Sequence, residues 1–421
     1  MKFTKLSLVA ALAISSAFAG GDIAPVEPVV EAAPVVSEST ITGNVKLWYG
    51  TNDAGLNSLF SKNGAFGDAY ADVKYSREVM ENVTLNVGMA YITTLGLEKD
   101  LVSATWINHG AVNPVADVAW LNEANVVIGL PSISSFVKVG RQELDTPFFY
   151  SEKWSIATNT FDAAVAGTTA LPDTTLIAAW VGRGNGAAGA GTGNVNLTNA
   201  NFGGGHVGFS PAGSNPAYAF AAINKSITDT ALQAWFYKIP GVADAYWLQA
   251  DTKVSGIDFG AQYAATKLLG NAAVAGGITN KTSAYAFKLG YSSDALSAYV
   301  AYSDRDNTAG IDISNIATGH TVNSQSKLYT ESYWNYGYVG AQDAQSIALG
   351  ASYDLGMAKL GAQYTDVDGI VGGTRDLSEF ALTASTKVGP INADLAYVNS
   401  KNGLASSNNT VLVMLTMPFS L

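Results

Sequence analysis

The chain has 421 residues, of which 14% are charged and 48% hydrophobic, and it has no cysteine. That charged fraction lies well below the roughly 25% of soluble proteins, and the missing cysteines exclude a disulfide framework and Cys-based metal or nucleophile chemistry. A formal net charge of −11 excludes a phosphate-seeking nucleic-acid binder and favours cations nearby.

Met1 to Ala19 carries Lys2 and Lys5, the apolar run Leu6–Ile14 and then Ala17-Phe18-Ala19. This is the pattern of a secretory signal peptide cut before Gly20. Without residues 1–19 the chain keeps 34 acids and 21 bases, a charge of −13. Residues 20–39 repeat Pro, Val, Glu and Ala; Pro25, Pro28 and Pro34 block helix and strand alike, so a periplasmic linker is expected. No composition break divides residues 40–421, so they are expected to form one domain.

From Thr40 the hydrophobic period is two. Ile41, Val45, Leu47 and Tyr49 share one face; Thr42, Asn44, Lys46 and Trp48 share the other. The same alternation recurs at Val83–Tyr91, Ile257–Tyr263, Tyr285–Tyr291 and Leu360–Tyr364. One face is apolar and rich in Tyr and Phe; the opposite face is small or polar, with few charges. After the N-terminus no apolar run is long enough for a spanning helix. Strands meeting lipid on one side and water on the other are therefore expected.

Connections sort into two alternating sets. Arg77–Asn82, Leu130–Ser134, Leu171–Asp173, Val254–Gly256 and Val388–Pro390 are short. Thr51–Phe66, Gln142–Asn159, Arg183–Pro216 and Ser303–Asp343 are long. Short periplasmic turns alternating with long external loops predict an all-β transmembrane antiparallel β-barrel of about 18 strands, or about 16 if one hairpin is lost. Asp117–Gly129 and the segments flanking Ile239–Ala243 alternate least clearly. The C-terminal NTVLVMLTMPFSL places Val411, Val413, Leu415, Met417, Phe419 and Leu421 on one face, a closing strand.

Ser135–Asp162 is the stretch around which the rest is arranged. Val137 and Val139 alternate with Lys138 and Gly140, and the strand runs through Arg141 into a charged, aromatic loop. The pattern GRQELDTP after a strand, with an aromatic stretch and a returning strand, resembles the OprD-like outer-membrane porins, in particular the epsilonproteobacterial major outer-membrane porin type. The resemblance implies that this loop folds inward and narrows the lumen, with Arg141, Glu143, Asp145, Glu152, Lys153 and Asp162 setting the field there. It implies basic residues along the facing wall. Inward parity offers Lys46, Lys74, Lys138, Lys253, Lys288 and Lys359, with Asp72, Asp251 and Asp258 among them. It further implies a homotrimer in outer-membrane lipid and lipopolysaccharide, and an assembly machinery that reads the closing strand. Related barrels usually end in Phe, whereas here Phe419 is third from the end.

Other motifs are weaker. GRGNGAAGAGTG within Gly182–Gly205 lacks the Lys-Ser/Thr of a phosphate cradle. Asp366, Asp368 and Asp376 offer hard oxygens but not calcium-loop spacing. Tyr329–Val339 is an aromatic cluster in the longest loop, where packing over the mouth is expected. His109, His206 and His320 are far apart in sequence, in predicted loops, and no G-x-S-x-G is present. The expected function is a channel for passive diffusion of small hydrophilic solutes and ions, mildly cation-selective, with no cofactor, no enzymatic activity and no nucleic-acid partner. The alternative is an adhesive surface barrel whose loops bind partners.

Overall fold

The computed structural model describes residues 39–103, 118–154, 156–184, 216–269, 281–317, 324–369, 376–403 and 405–421. The segments expected to be a signal peptide and a linker, up to residue 38, the three histidines and most of the Gly-rich segment lie outside them.

The period-two segments form strands. In chain order they are β1 (Thr40–Asn52), β2 (Ala65–Met80), β3 (Val83–Thr93), β4 (Val118–Leu130), β5 (Ser135–Gln142), β6 (Phe161–Leu171), β7 (Thr174–Gly184), β8 (Ala217–Asn224) and β9 (Thr230–Ile239). They continue as β10 (Ala243–Val254), β11 (Ile257–Leu268), β12 (Lys281–Ser292), β13 (Leu296–Arg305), β14 (Gln345–Asp354), β15 (Ala358–Asp368), β16 (Leu377–Val388), β17 (Ile391–Asn402) and β18 (Asn408–Ser420). Each pairs antiparallel with its chain neighbours, and β18 pairs with β1, so the 18-stranded sheet closes on itself. Closure leaves no sheet edge, and every strand finds its backbone partners within the wall, as lipid demands.

The seam is made by the termini of the barrel. Val45 lies opposite Met417 and Leu47 opposite Leu415. The Ile41 and Leu421 backbones exchange N–H···O bonds of 3.1 and 2.8 Å.

Alternation sorts the side chains as read from the sequence. Leu47, Met89, Leu248, Phe287, Leu349 and Leu395 are exposed on the outer face. So large an apolar exterior belongs in a bilayer rather than in water. Short turns join the strands at one rim, including Ser255–Gly256, both at positive φ, as the favoured two-residue hairpin turn requires. Long connections join them at the other.

Sequence parity fails in β4. Gly88 lies opposite Glu123 but Met89 lies opposite Leu121, so Asn122 is an extra residue in a bulge. The bulge brings Trp120, Glu123, Asn125 and Val127 all to the inner face. This is why Asp117–Gly129 does not alternate cleanly. Across the next pair, Gly140 has φ +126°, and a Cβ there would sit 2.2 Å from the Ala124 carbonyl oxygen, so the β4–β5 approach admits only glycine.

Candidate functional site

The connection between β5 and β6 reaches across the barrel. Thr146 turns the chain by accepting from Phe149 N–H at 3.2 Å and donating to its carbonyl at 2.8 Å. The turn presents Phe148 and Phe149 to inward-facing rings of β9 and β10. Phe148 meets Tyr237 and Trp247 edge-on at 5.5 and 5.6 Å, and Phe149 stacks on Tyr237 at 5.8 Å. Further along, buried Ile156 and Ala157 join Trp48, Phe66 and Trp120 from β1, β2 and β4. Lys46 Nζ donates to the Ile156 carbonyl at 3.3 Å. Strands β1 and β10 lie nine places apart around the closed sheet, so this one connection touches opposite walls.

The connection between β13 and β14 also turns inward. The sequence predicts an external loop over Ser303–Asp343 with its aromatic cluster over the mouth. Instead Ile313, Leu328, Thr330, Tyr333 and Val339 are buried inside the barrel. Buried Arg305 starts it, donating to the Asp306 and Thr308 carbonyls at 2.5 Å. Asn315 locks the two connections together: its amide donates to the Tyr150 carbonyl and to Glu152 Oε1, each at 2.9 Å. Lys327 pairs with Asp145 and lies 4.7 Å over the Tyr150 ring. Trp334 stacks on Phe66 and meets Trp154 edge-on. The wall reaches back from β10, β11 and β15: Asp251 accepts from Tyr329 Oη at 2.6 Å, and Gln262 and Gln363 donate to the Lys327 and Glu331 carbonyls.

Glu331 is buried in this connection. Its carboxylate accepts from Ser326 N–H at 2.6 Å, Ser332 N–H at 3.0 Å and Gly337 N–H at 3.4 Å. Burial nevertheless pushes its carboxyl up to about 7, the hydrogen bonds offsetting only part of that cost. Burial likewise pushes the Tyr150 and Tyr336 hydroxyls well up, with neighbouring tyrosine hydroxyls and carboxylates adding to it.

A polar cleft remains between the β5–β6 connection and the wall. Asn44, Lys46, Tyr70, Asp72, Asn122, Glu123, Glu143, Thr158 and Thr160 line it. Three carboxylates and one ammonium group therefore face it. Asp72 accepts from Asn44 at 3.1 Å; Glu123 holds Lys74 at 2.9 Å and Lys138 at 3.9 Å; Glu143 holds Lys153 at 3.0 Å.

The sequence candidates therefore divide. Lys46, Lys74, Lys138 and Glu143 gather at this cleft, with Lys153 paired behind it. Glu152 is buried and accepts from Trp154 Nε1 at 2.8 Å, which makes it a brace inside the connection. Lys288 lies elsewhere on the inner wall, 3.9 Å from Asp251 and 4.5 Å over the Tyr329 ring. Asp258 accepts from Ser292, which in turn accepts from Lys253. Lys359 is exposed next to the short-turn rim. Arg141 and Asp162 pair at 2.9 Å but take the parity of exposed Val139, opposite to that of buried Gln142 and Phe161. They lie on the outer face, because β5 continues through Gln142 and Arg141 still obeys strand alternation. Glu331, Glu379, Asn315 and Glu123 were not singled out from the sequence. The first three act through folded loops, and Glu123 depends on the bulge. Among the described residues no group of three or more Asp, Glu or His side chains could hold a metal ion.

No protein-family model matches the chain, and no curated protein does. Solved structures do match its fold. The chain is similar to Pseudomonas aeruginosa OccK1 (OpdK), with TM-score 0.72 and 13% identity over 91% of this chain and 99% of that one. It is similar to OccK8 (OprE) of the same organism, with TM-score 0.70 and 13% identity over 92% and 100%. It is also similar to OccD3 (OpdP), again from that organism, with TM-score 0.65 and 14% identity over 94% and 95%. The OprD-like resemblance read from the sequence thus holds at the level of the fold.

Proposed function

We propose that this chain is an outer-membrane porin: a multi-pass β-barrel with a water-filled path for passive diffusion of small hydrophilic solutes and ions. The observation that carries this reading is the polar cleft between the β5–β6 connection and the inner wall of β1–β4, inside a closed barrel with an apolar exterior. A structural plug has no reason to keep Asp72, Glu123 and Glu143 facing a common solvent space. On this reading residues 143–154 and 156–160 narrow the path and residues 306–317 and 324–344 brace them. Three cleft carboxylates against one ammonium favour cations mildly.

The same reading makes residues 1–19 a secretory signal and residues 20–39 a periplasmic linker. The rim that bears the long connections then faces the cell exterior, the closing strand β18 engages the barrel-assembly machinery, and the protein works as a homotrimer in lipid and lipopolysaccharide. It uses no cofactor, binds no nucleic acid and catalyses no reaction. The apolar clusters that both connections form within the barrel favour a second reading, a sealed surface barrel that binds partners. Purified protein in a planar bilayer separates the two. Stable ohmic conductance steps are expected. A folded barrel that inserts without conducting overturns the porin reading.

A further inference from the structure

The outer face at the long-connection rim carries an unusual run of cations. Arg183 lies opposite Asp162, which also holds Arg141. Across β9 to β12, Lys238, Asp244, Lys267 and Lys281 stand in one continuous register: Lys238 opposite Asp244, Asp244 opposite Lys267, Lys267 opposite Lys281. Their chain neighbours Ile239, Ala243, Thr266 and Thr282 are buried toward the lumen, so all four point outward. Five bases and two acids thus share this arc of β5–β12. The adjoining arc is opposite in sign: Asp304, Asp366 and Asp368 take the outward positions of β13 and β15.

The two acids do not neutralise the arc. Asp162 serves Arg141 and Arg183 at 2.9 and 2.8 Å, and Asp244 serves Lys238 at 2.7 Å. Lys267 and Lys281 face each other in register, both exposed, and no carboxylate of the described residues pairs with either. Like charges directly opposite across a strand pair destabilise the sheet. Their placement makes sense with a counter-anion between them. The depth of the arc says where that anion comes from. Trp180, Tyr246, Tyr263 and Tyr285 are exposed on the same face, two to four residues deeper along the same strands. Aromatic girdles mark the headgroup level of a bilayer. The cations therefore stand just above the apolar belt, level with headgroups.

We propose that this arc is a binding site for the phosphate groups of the outer-leaflet glycolipid, a phosphorylated disaccharide lipid of the lipid A type. Arg183 on β7 and Lys238 on β9 extend the site to one side, and Lys267 and Lys281 supply positive charge that no carboxylate of the described residues pairs. The acidic arc over β13–β15 repels the same headgroups, so the lipid binds one side of the barrel. The proposal does not depend on conductance.

Native mass spectrometry of the full detergent-solubilised barrel, titrated with bisphosphorylated lipid A, its dephosphorylated form and phosphatidylglycerol, tests this. The wild type is expected to bind the bisphosphorylated glycolipid at least tenfold tighter than either other lipid. The variant carrying Arg183→Gln, Lys238→Gln, Lys267→Gln and Lys281→Gln should lose that preference. Lys401→Gln, outward on β17, should keep it, and Asp244→Asn should strengthen it. Heat-modifiable gel mobility verifies that each barrel is folded. Equal affinity for phosphatidylglycerol, or a preference retained in the fourfold variant, overturns the proposal.

Discussion

Glu379 on β16 grips Asn335 twice, accepting from its backbone N–H at 2.9 Å and from its side-chain amide at 2.5 Å, and takes a third bond from Trp334 N–H at 2.9 Å. A single wall carboxylate, 2% exposed, thereby holds the β13–β14 connection at Trp334 and Asn335. Glu379→Ala is expected to weaken that docking by on the order of 2 kcal/mol or more, since the donors lose a charged acceptor. Trypsin provides the measurement. Lys327, paired with Asp145, is largely buried, so the Lys327–Leu328 bond should resist cleavage in the native barrel. It should be cut readily in Glu379→Ala. Equal cleavage rates would mean that the connection is not held there.

Acidity should tighten the same connection. The Glu331 carboxyl is pushed up to about 7 from an ordinary value of 4.5. A raised acid binds its proton more tightly in the docked state, so docking is most stable below about pH 4.5. That contribution is lost as pH rises through about 7. The change amounts to roughly 3 kcal/mol at most. Cleavage at Lys327 should therefore be faster at pH 8 than at pH 5 after correction for the protease's own pH profile. Glu331→Gln should flatten the difference.

Leu289 and Ser352 test the two faces of the wall. Leu289 is 48% exposed on the outer face, and Leu289→Arg should cost about 2–4 kcal/mol if it sits at the bilayer midplane. Ser352 faces inward and is half-exposed beside Ser297; Ser352→Arg should cost much less. Ala286 is also inward but is unsuitable for this comparison. It is fully buried within the cluster that the inward connections complete. Urea unfolding from lipid vesicles reads both.

The strands were legible because lipid outside and a lumen inside impose one period on every segment, and the short turns carry their own conformational marks. That logic carried Leu47, Phe287 and the closing β18 correctly. It failed where the backbone departs from the period: the extra Asn122 in β4 brings Glu123 to the cleft, which no count along the sequence reveals. The inward path of residues 306–317 and 324–344 was hidden for another reason. Tyr333, Trp334 and Tyr336 need an apolar partner, but the sequence does not say whether that partner lies over the mouth or within the barrel. Their partners are Phe66, Trp154 and Ala396, far away in the chain. Arg141 fails as a constriction residue for a simpler reason: it is a strand residue whose parity points outward, and grouping it with the charges of the loop that follows ignores that alternation.

Ion choice is the sharpest test of the cleft. Asp72, Glu123 and Glu143 face it with Lys46, while Lys74 and Lys138 share Glu123 and Lys153 takes Glu143. The balance is close, so selectivity should be mild and should fade as salt shortens the Debye length. Reversal potentials across a salt gradient are expected to favour cations at low salt. Asp72→Asn with Glu143→Gln leaves the lysines in excess and should carry the potential through zero toward anions. Asp145→Asn removes a carboxylate bound to Lys327 away from the cleft, and should shift the potential far less. If the Asp145 variant moves the potential as much as the cleft double variant, ions do not pass by Asp72 and Glu143, and the path lies elsewhere in the barrel.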